Sequence, residues 1–158
     1  MIKALLFDFS RTLLFPVDND YSGSLNELYK LKKNDENFNF SNYFALNSEL
    51  INILKTIKDH YKLAIFTSDS IQNDPAIYNN LNSIFTKIYS AKEIGILKSD
   101  PKAYEYIAKD LELPPNEIIF IDDSKENTDT ASKAKLNTFV YENFYKLIKD
   151  FKLRNIIK

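Results

Sequence analysis

The stretch "IKALLFDFSR", residues 2–11, places a carboxylate at the end of an otherwise apolar run. Its apolar part has the pattern of a strand that is buried on both faces of a parallel sheet. Asp8 follows this run directly, and Ser10 and Arg11 come two and three positions later. A carboxylate in this position indicates either a cap on the next turn or a functional site at the end of the strand.

Four more apolar runs follow along the chain, at residues 63–67, 84–91, 117–123 and 137–141. The sequence between them has helical spacing of apolar residues. The pairs Asp74-Pro75 and Asp100-Pro101 each predict a helix start, with Asp as the cap and Pro in the first turn. Strands that alternate with helices predict βαβ units, so we expect an α/β fold of the Rossmann type, a parallel sheet flanked by helices.

Residues 16–45 interrupt this alternation with a polar, Asn-rich stretch. Ser24 and Glu27 have the spacing of a capping box before Leu25, Leu28 and Leu31, which predicts one short helix. A length of 158 residues favours a single domain, 1–158, in which 16–45 is a small insertion.

Composition excludes several classes of partner. The chain has 21 Lys and Arg against 22 Asp and Glu, so it lacks the basic surface that binds nucleic acid or anionic membranes. No apolar stretch approaches the ~20 residues of a membrane helix. There are no cysteines, which is typical of a reducing compartment such as the cytosol, so we expect a cytoplasmic protein without nucleic-acid or membrane partners.

Polar side chains follow three of the predicted strands. Asp8, the pair Thr67-Ser68 and the pair Asp122-Asp123 all stand at strand ends, and Lys98 lies in the loop before the Asp100-Pro101 helix start. Right-handed crossovers bring the carboxyl ends of parallel strands to one edge, so these residues are expected to converge. Clustered carboxylates predict a hard cation such as Mg²⁺, and the lysine and hydroxyls suit a phosphoryl group that an aspartate can attack.

Four segments resemble, in order, the motifs of the haloacid dehalogenase-like (HAD) hydrolase superfamily: "FDFSRTL", "AIFTSDS", "GILKSDPKAYEYIA" and "EIIFIDDSKENTDTASKA". The resemblance implies that Asp8 is the nucleophile, that Thr67, with Ser68 beside it, binds phosphate, and that Lys98 faces the phosphate. It also implies a metal site made of Asp8, the Ser10 backbone carbonyl, Asp122 and Asp123. In this site we expect Asp123 to bind directly and Asp122 to act indirectly, either through water or by supporting the direct ligands. Residues 16–45 then correspond to a reduced cap.

The implied activity is Mg²⁺-dependent hydrolysis of a small phosphorylated metabolite through an aspartyl-phosphate on Asp8. Ser10, however, stands where phosphatases of the superfamily have a second Asp that transfers protons, a contribution of about 10²–10⁴-fold in rate. Arg11 replaces the usual Gly, either as an added phosphate contact or as a restriction of the entrance.

The sequence leaves open how the protein functions with Ser10 in place of the second Asp, and four alternatives follow from it. The substrate has a good leaving group, such as an acyl phosphate, or another acid substitutes, namely Asp69, Asp18 or Asp20. Alternatively, the protein is a phosphate- or protein-binding domain without turnover. A phosphonate-cleaving relative has a small residue at this position and a cap lysine, for which Lys30, Lys32 and Lys33 are candidates.

Overall fold

The computed structural model describes residues 1–158, with seven strands and seven α-helices. The strands are β1 (Ala4–Phe7), β2 (Leu14–Pro16), β3 (Phe44–Leu46), β4 (Lys62–Thr67), β5 (Lys87–Ser90), β6 (Ile118–Asp122) and β7 (Asn137–Val140). The helices are α1 (Leu25–Lys32), α2 (Ser48–Ile57), α3 (Pro75–Asn82), α4 (Ala91–Ile94), α5 (Pro101–Asp110), α6 (Lys125–Lys133) and α7 (Phe144–Leu153).

The main sheet has five parallel strands in the order β5-β4-β1-β6-β7. Strand β1 lies in its centre, and Phe7 is level with Ile65 of β4 and Ile121 of β6. The chain therefore leaves β1 toward one side first and returns to its other side later. This arrangement opens a crevice at the carboxyl end of β1, and it confirms the predicted α/β fold.

Alternate residues of the central strands pack on opposite faces of the sheet. Leu5 and Phe7 belong to one buried cluster, whereas Ala4 and Leu6 belong to the other. In the second cluster Tyr104 of α5 packs edge-on against Phe66 and Phe120, with ring centroids 5.5 and 5.1 Å away. Burial on both faces explains why the strands read as continuous apolar runs.

The predicted helix caps are present. The Asp74 side chain accepts a hydrogen bond from the Ala76 amide at 2.9 Å, and Asp100 accepts one from Lys102 at the same distance. Ser24 accepts from the Glu27 amide at 3.3 Å and begins α1. These side chains satisfy amides that have no partner inside the helix.

The segment from residue 16 to 45 differs from its prediction in two respects. Its ends form an antiparallel ribbon of β2 and β3, which three-residue strands did not reveal in the sequence. Leu31, predicted on the apolar face of α1, is 71% exposed. The segment nevertheless joins the main core through Leu25, Phe40 and Phe44. Across the whole chain, no helix combines the length and the apolar character needed to span a membrane.

Candidate active site

The site begins where β1 and β6 end. Because Phe7 is level with Ile121, the next residues, Asp8 and Asp122, lie side by side. The Asp8 amide donates to the Ile121 carbonyl at 2.8 Å, which extends the strand pairing as far as the carboxylate. Both aspartates are buried, Asp8 with 7% and Asp122 with 1% of its surface exposed.

Lys98 joins the two aspartates. Its Nζ contacts Asp8 Oδ1 and lies 3.3 Å from Asp122 Oδ2. The lysine is itself buried, and the Tyr104 hydroxyl donates to its backbone carbonyl at 3.0 Å. Tyr104, fixed in the core by α5, therefore holds the loop that carries Lys98.

The loop after β6 orients Asp122. Its Oδ1 accepts from the Ser124 amide at 2.8 Å, and its Oδ2 accepts from the Asn127 side chain at 2.9 Å. Ser124, and not either aspartate, caps α6 by accepting from the Asn127 amide. Asp123 is left exposed beside the pair, so both acids remain available to the cavity.

The charges of the site oppose one another. Burial raises the pKa of Asp8 to about 7, although the Lys98 ammonium counteracts the shift. Partial desolvation and the neighbouring Asp122 raise the pKa of Asp123 to about 6. Burial lowers the pKa of Lys98, but the charges of Asp8 and Asp122 outweigh it and leave that pKa raised. One ammonium thus does not fully compensate three carboxylates.

This donor set fits a hard divalent cation. One carboxylate oxygen from each of Asp8, Asp122 and Asp123 lies within 4.8 Å of the others. Oxygen ligands from carboxylates are those that Mg²⁺ prefers, and a bound cation would offset the desolvation and the repulsion by Asp122 that raise the pKa values of Asp8 and Asp123. The residues present are therefore compatible with such an ion.

A cavity of about 180 Å³ opens over these groups. It brings together all the site residues predicted from the sequence: Asp8, Ser10, Arg11, Thr67, Ser68, Lys98, Asp122 and Asp123. A larger cavity of about 660 Å³ lies between α2 and the last residues of the chain, but no cluster of acids converges there. Chemistry rather than size therefore marks the smaller cavity as the candidate site.

Part of the cavity lining was not expected. Ser24, Leu25 and Asn26, from the start of α1, also line the cavity, as do Ser124 and Asn127, which follow β6. The Asn26 Oδ1 and Ser10 Oγ atoms are buried without a hydrogen-bond partner. The capping box located α1, but the sequence holds no signal for the position of that helix over the sheet edge.

Arg11 contacts the insertion rather than open space above the sheet. Its Nη2 donates to the backbone carbonyls of Tyr21 and Gly23 at 2.9 and 2.8 Å. Its φ of 61° lies in the left-handed region, which is why a Gly is expected here and a side chain carries strain. A role for Arg11 in phosphate binding stays a prediction.

The candidate substitute acids do not line the cavity. Asp69 forms ion pairs with Lys30 and with Lys92, and the Lys30 contact lowers its pKa. Asp18 accepts a hydrogen bond from the Asp20 amide, outside the site. The lysines of the insertion are engaged as well: Lys30 with Asp69, Lys32 over the Tyr43 ring and Lys33 over the Tyr29 ring.

Comparison with known proteins identifies the family. Residues 16–141 match the family model for haloacid dehalogenase-like hydrolases. The chain belongs to this family. The matched range begins after Asp8 and Ser10. The assignment of these two residues to the site therefore rests on the geometry described above.

Individual relatives agree with this assignment. The chain is 32% identical over 83 residues to an enolase-phosphatase E1 of Methylococcus capsulatus, a match that covers 49% of this chain and 36% of the relative. It is 30% identical over 102 residues to an enolase-phosphatase E1 of Leptospira interrogans, covering 62% and 44%. The chain thus matches less than half the length of these curated relatives.

A solved structure shares the fold over almost its full length. It is a HAD family enzyme of Bacteroides thetaiotaomicron in complex with magnesium and inorganic phosphate. The match has a TM-score of 0.70 at 16% identity and covers 93% of this chain and 99% of that one.

Proposed function

We propose that this protein is a Mg²⁺-dependent phosphatase that acts on a small phosphorylated molecule through an aspartyl-phosphate on Asp8. The observation that carries the proposal is the buried contact of Lys98 with Asp8 and Asp122, with Asp123 beside them, at the carboxyl end of the central strand. The magnesium and phosphate in the Bacteroides structure and the phosphatase names of the relatives support it.

The residues have distinct roles in this proposal. Asp8, Asp122, Asp123 and the Ser10 carbonyl would hold the cation, which supplies positive charge to offset that of the phosphoryl group. Asp8 attacks phosphorus with one carboxylate oxygen, and Lys98 keeps that carboxylate ionised and oriented. The Thr67 and Ser68 hydroxyls donate to phosphoryl oxygens. Residues 16–45 act as a minimal cap whose helix α1 restricts access.

The replacement Asp8→Asn tests the proposal. With Mg²⁺ and p-nitrophenyl phosphate, we expect wild type to turn over and Asp8→Asn to lose activity by about 10³-fold or more, since the amide is a poor nucleophile. Circular dichroism and Tm of both proteins establish that the variant is folded. Equal rates would refute Asp8 as the nucleophile, and Mg²⁺ and phosphate binding without turnover on any substrate would favour a non-catalytic binding domain.

A further inference from the structure

Three carboxylates and one ammonium of the cavity cluster on the side of the proposed nucleophile, whereas the Arg11 guanidinium is bonded to the insertion. The three carboxylates have oxygens within 4.8 Å of one another, and Lys98 contacts two of them. In phosphoryl transfer the attacking and leaving oxygens are roughly in line on opposite sides of phosphorus. A group that clusters with the Asp8 carboxylate is therefore badly placed to protonate the leaving oxygen.

The rest of the lining offers no proton donor for that oxygen. Apart from the three acids and Lys98, the cavity is lined by five hydroxyl side chains, two amides, Leu25 and Arg11. None of these groups exchanges a proton readily near neutral pH, and the Arg11 guanidinium is also bonded to two carbonyls. The nearby Asp69 is paired with Lys30 outside the cavity.

The space enclosed over the nucleophile is small. Its volume of about 180 Å³ is below the roughly 300–1,000 Å³ of pockets that take drug-sized ligands. The insertion is fixed over it by Arg11, by the Lys30–Asp69 pair, and by a 2.9 Å hydrogen bond from the Tyr29 hydroxyl to Asp74. A phosphoryl group with a few additional atoms fits this space.

We propose, on the basis of the phosphatase function above, that the substrates are small acyl phosphates, the mixed anhydrides of phosphoric acid and a short carboxylic acid. Asp8 forms a bond to phosphorus while the bond from phosphorus to the acyl oxygen breaks. The electron pair leaves with the acyl oxygen as a carboxylate. Since the pKa of the corresponding carboxylic acid is near 4, the carboxylate is stable at neutral pH and its departure requires no proton.

The same reasoning applies to the second step, in which water forms a bond to phosphorus and the bond to Asp8 breaks. The electron pair returns to the Asp8 carboxylate, and the water proton passes to the phosphate product or to solvent. Here too the leaving group is a carboxylate. Because the carboxylates of the cavity cluster on the side of Asp8, none is placed to take the water proton, so this step is slow and the aspartyl-phosphate accumulates.

Acetyl phosphate and ethyl phosphate form a matched pair of similar size for a test. With Mg²⁺, and after subtraction of the rate without protein, we expect wild-type kcat/KM to favour acetyl phosphate by about 10²-fold or more. Ser10→Asp introduces a proton donor and should lower this ratio by about tenfold or more through a gain on ethyl phosphate. Ser10→Asn introduces a side chain of the same shape as Asp that transfers no proton. This variant should keep the wild-type ratio of the two kcat/KM values.

The outcomes separate this inference from the proposed function. A wild-type ratio near one, or a ratio that Ser10→Asp leaves unchanged, would overturn the inference while turnover still depends on Asp8. Turnover that persists in Asp8→Asn would overturn the proposed function itself. If Ser10→Asp does not fold, rapid quench of wild type decides: we expect a burst of one acetate per protein and a phosphoryl group on Asp8, and a linear time course without phosphoprotein would contradict the proposal.

Discussion

The sheet edge and the insertion over it are held together in different ways. At the edge, Asp8 and Asp122 are buried and each contacts the buried Lys98, so each charge depends on its partners. In the insertion, the polar contacts to the rest of the molecule are made by partly exposed side chains such as Lys30. The charges of the site are therefore strongly coupled to one another, whereas those of the insertion are coupled weakly.

The largest stability effect is expected for Lys98→Met. Removing the ammonium leaves Asp8 and Asp122 buried without their counter-charge, and breaking a buried pair in this way costs about 3–5 kcal/mol. We expect urea unfolding without Mg²⁺ to show that the free energy of unfolding of Lys98→Met is lower than that of wild type by this amount. Adding Mg²⁺ should recover more stability in the variant than in wild type, because a bound cation replaces the missing charge.

A matched control is Lys125→Met, which removes an exposed lysine that is paired with Asp129 one helical turn away. An exposed pair of this kind contributes about 0.3–0.5 kcal/mol. If the two variants lose similar amounts of free energy, Lys98 is not coupled to the buried acids as described.

The same difference explains how far the sequence alone predicted the molecule. The five parallel strands were predictable because burial on both faces leaves continuous apolar runs, as in residues 4–7. The convergence of Asp8, Lys98 and Asp122 followed, since parallel strands and right-handed crossovers bring their ends to one edge. General rules of sheet topology were sufficient for this part of the site.

The insertion was less predictable because its position depends on contacts between residues that are distant in sequence. The capping box at Ser24 predicted α1, but neither the Tyr29–Asp74 hydrogen bond nor the Lys30–Asp69 pair has a local signature. Strands β2 and β3 have three residues each, too few for a periodic pattern. The cavity lining from α1 was therefore missed.

An intermediate effect is expected at Arg11, which links the edge to the insertion. Arg11→Ala loses the two hydrogen bonds to Tyr21 and Gly23 but keeps the left-handed backbone, and we expect a loss of about 1–3 kcal/mol. Arg11→Gly loses the same bonds but relieves the strain, so it should be about 1 kcal/mol more stable than Arg11→Ala. Urea unfolding of the two variants measures this difference. A less stable glycine variant would contradict the strained conformation.

The smallest effect is expected at the Lys30–Asp69 pair, and it should depend on pH. Lys30→Met removes an ion pair whose lysine side chain is 52% exposed, so we expect a loss of about 0.2–1 kcal/mol at pH 7. The hydrogen bond and charge of Lys30 lower the pKa of Asp69 in the folded state. The contribution of the pair is therefore complete above the unfolded pKa of about 4 and disappears as the pH falls through the lower folded value.

Unfolding curves of wild type and Lys30→Met should accordingly converge on acidification, and added salt should reduce their separation at pH 7. Lys149→Met is the control, because Lys149 is exposed and takes part in none of the ion pairs of the structure. The difference in the free energy of unfolding between Lys149→Met and wild type should not change as Asp69 titrates. If the effect of Lys30→Met persists unchanged below the titration range, the insertion is held there by packing of the Lys30 side chain and not by its charge.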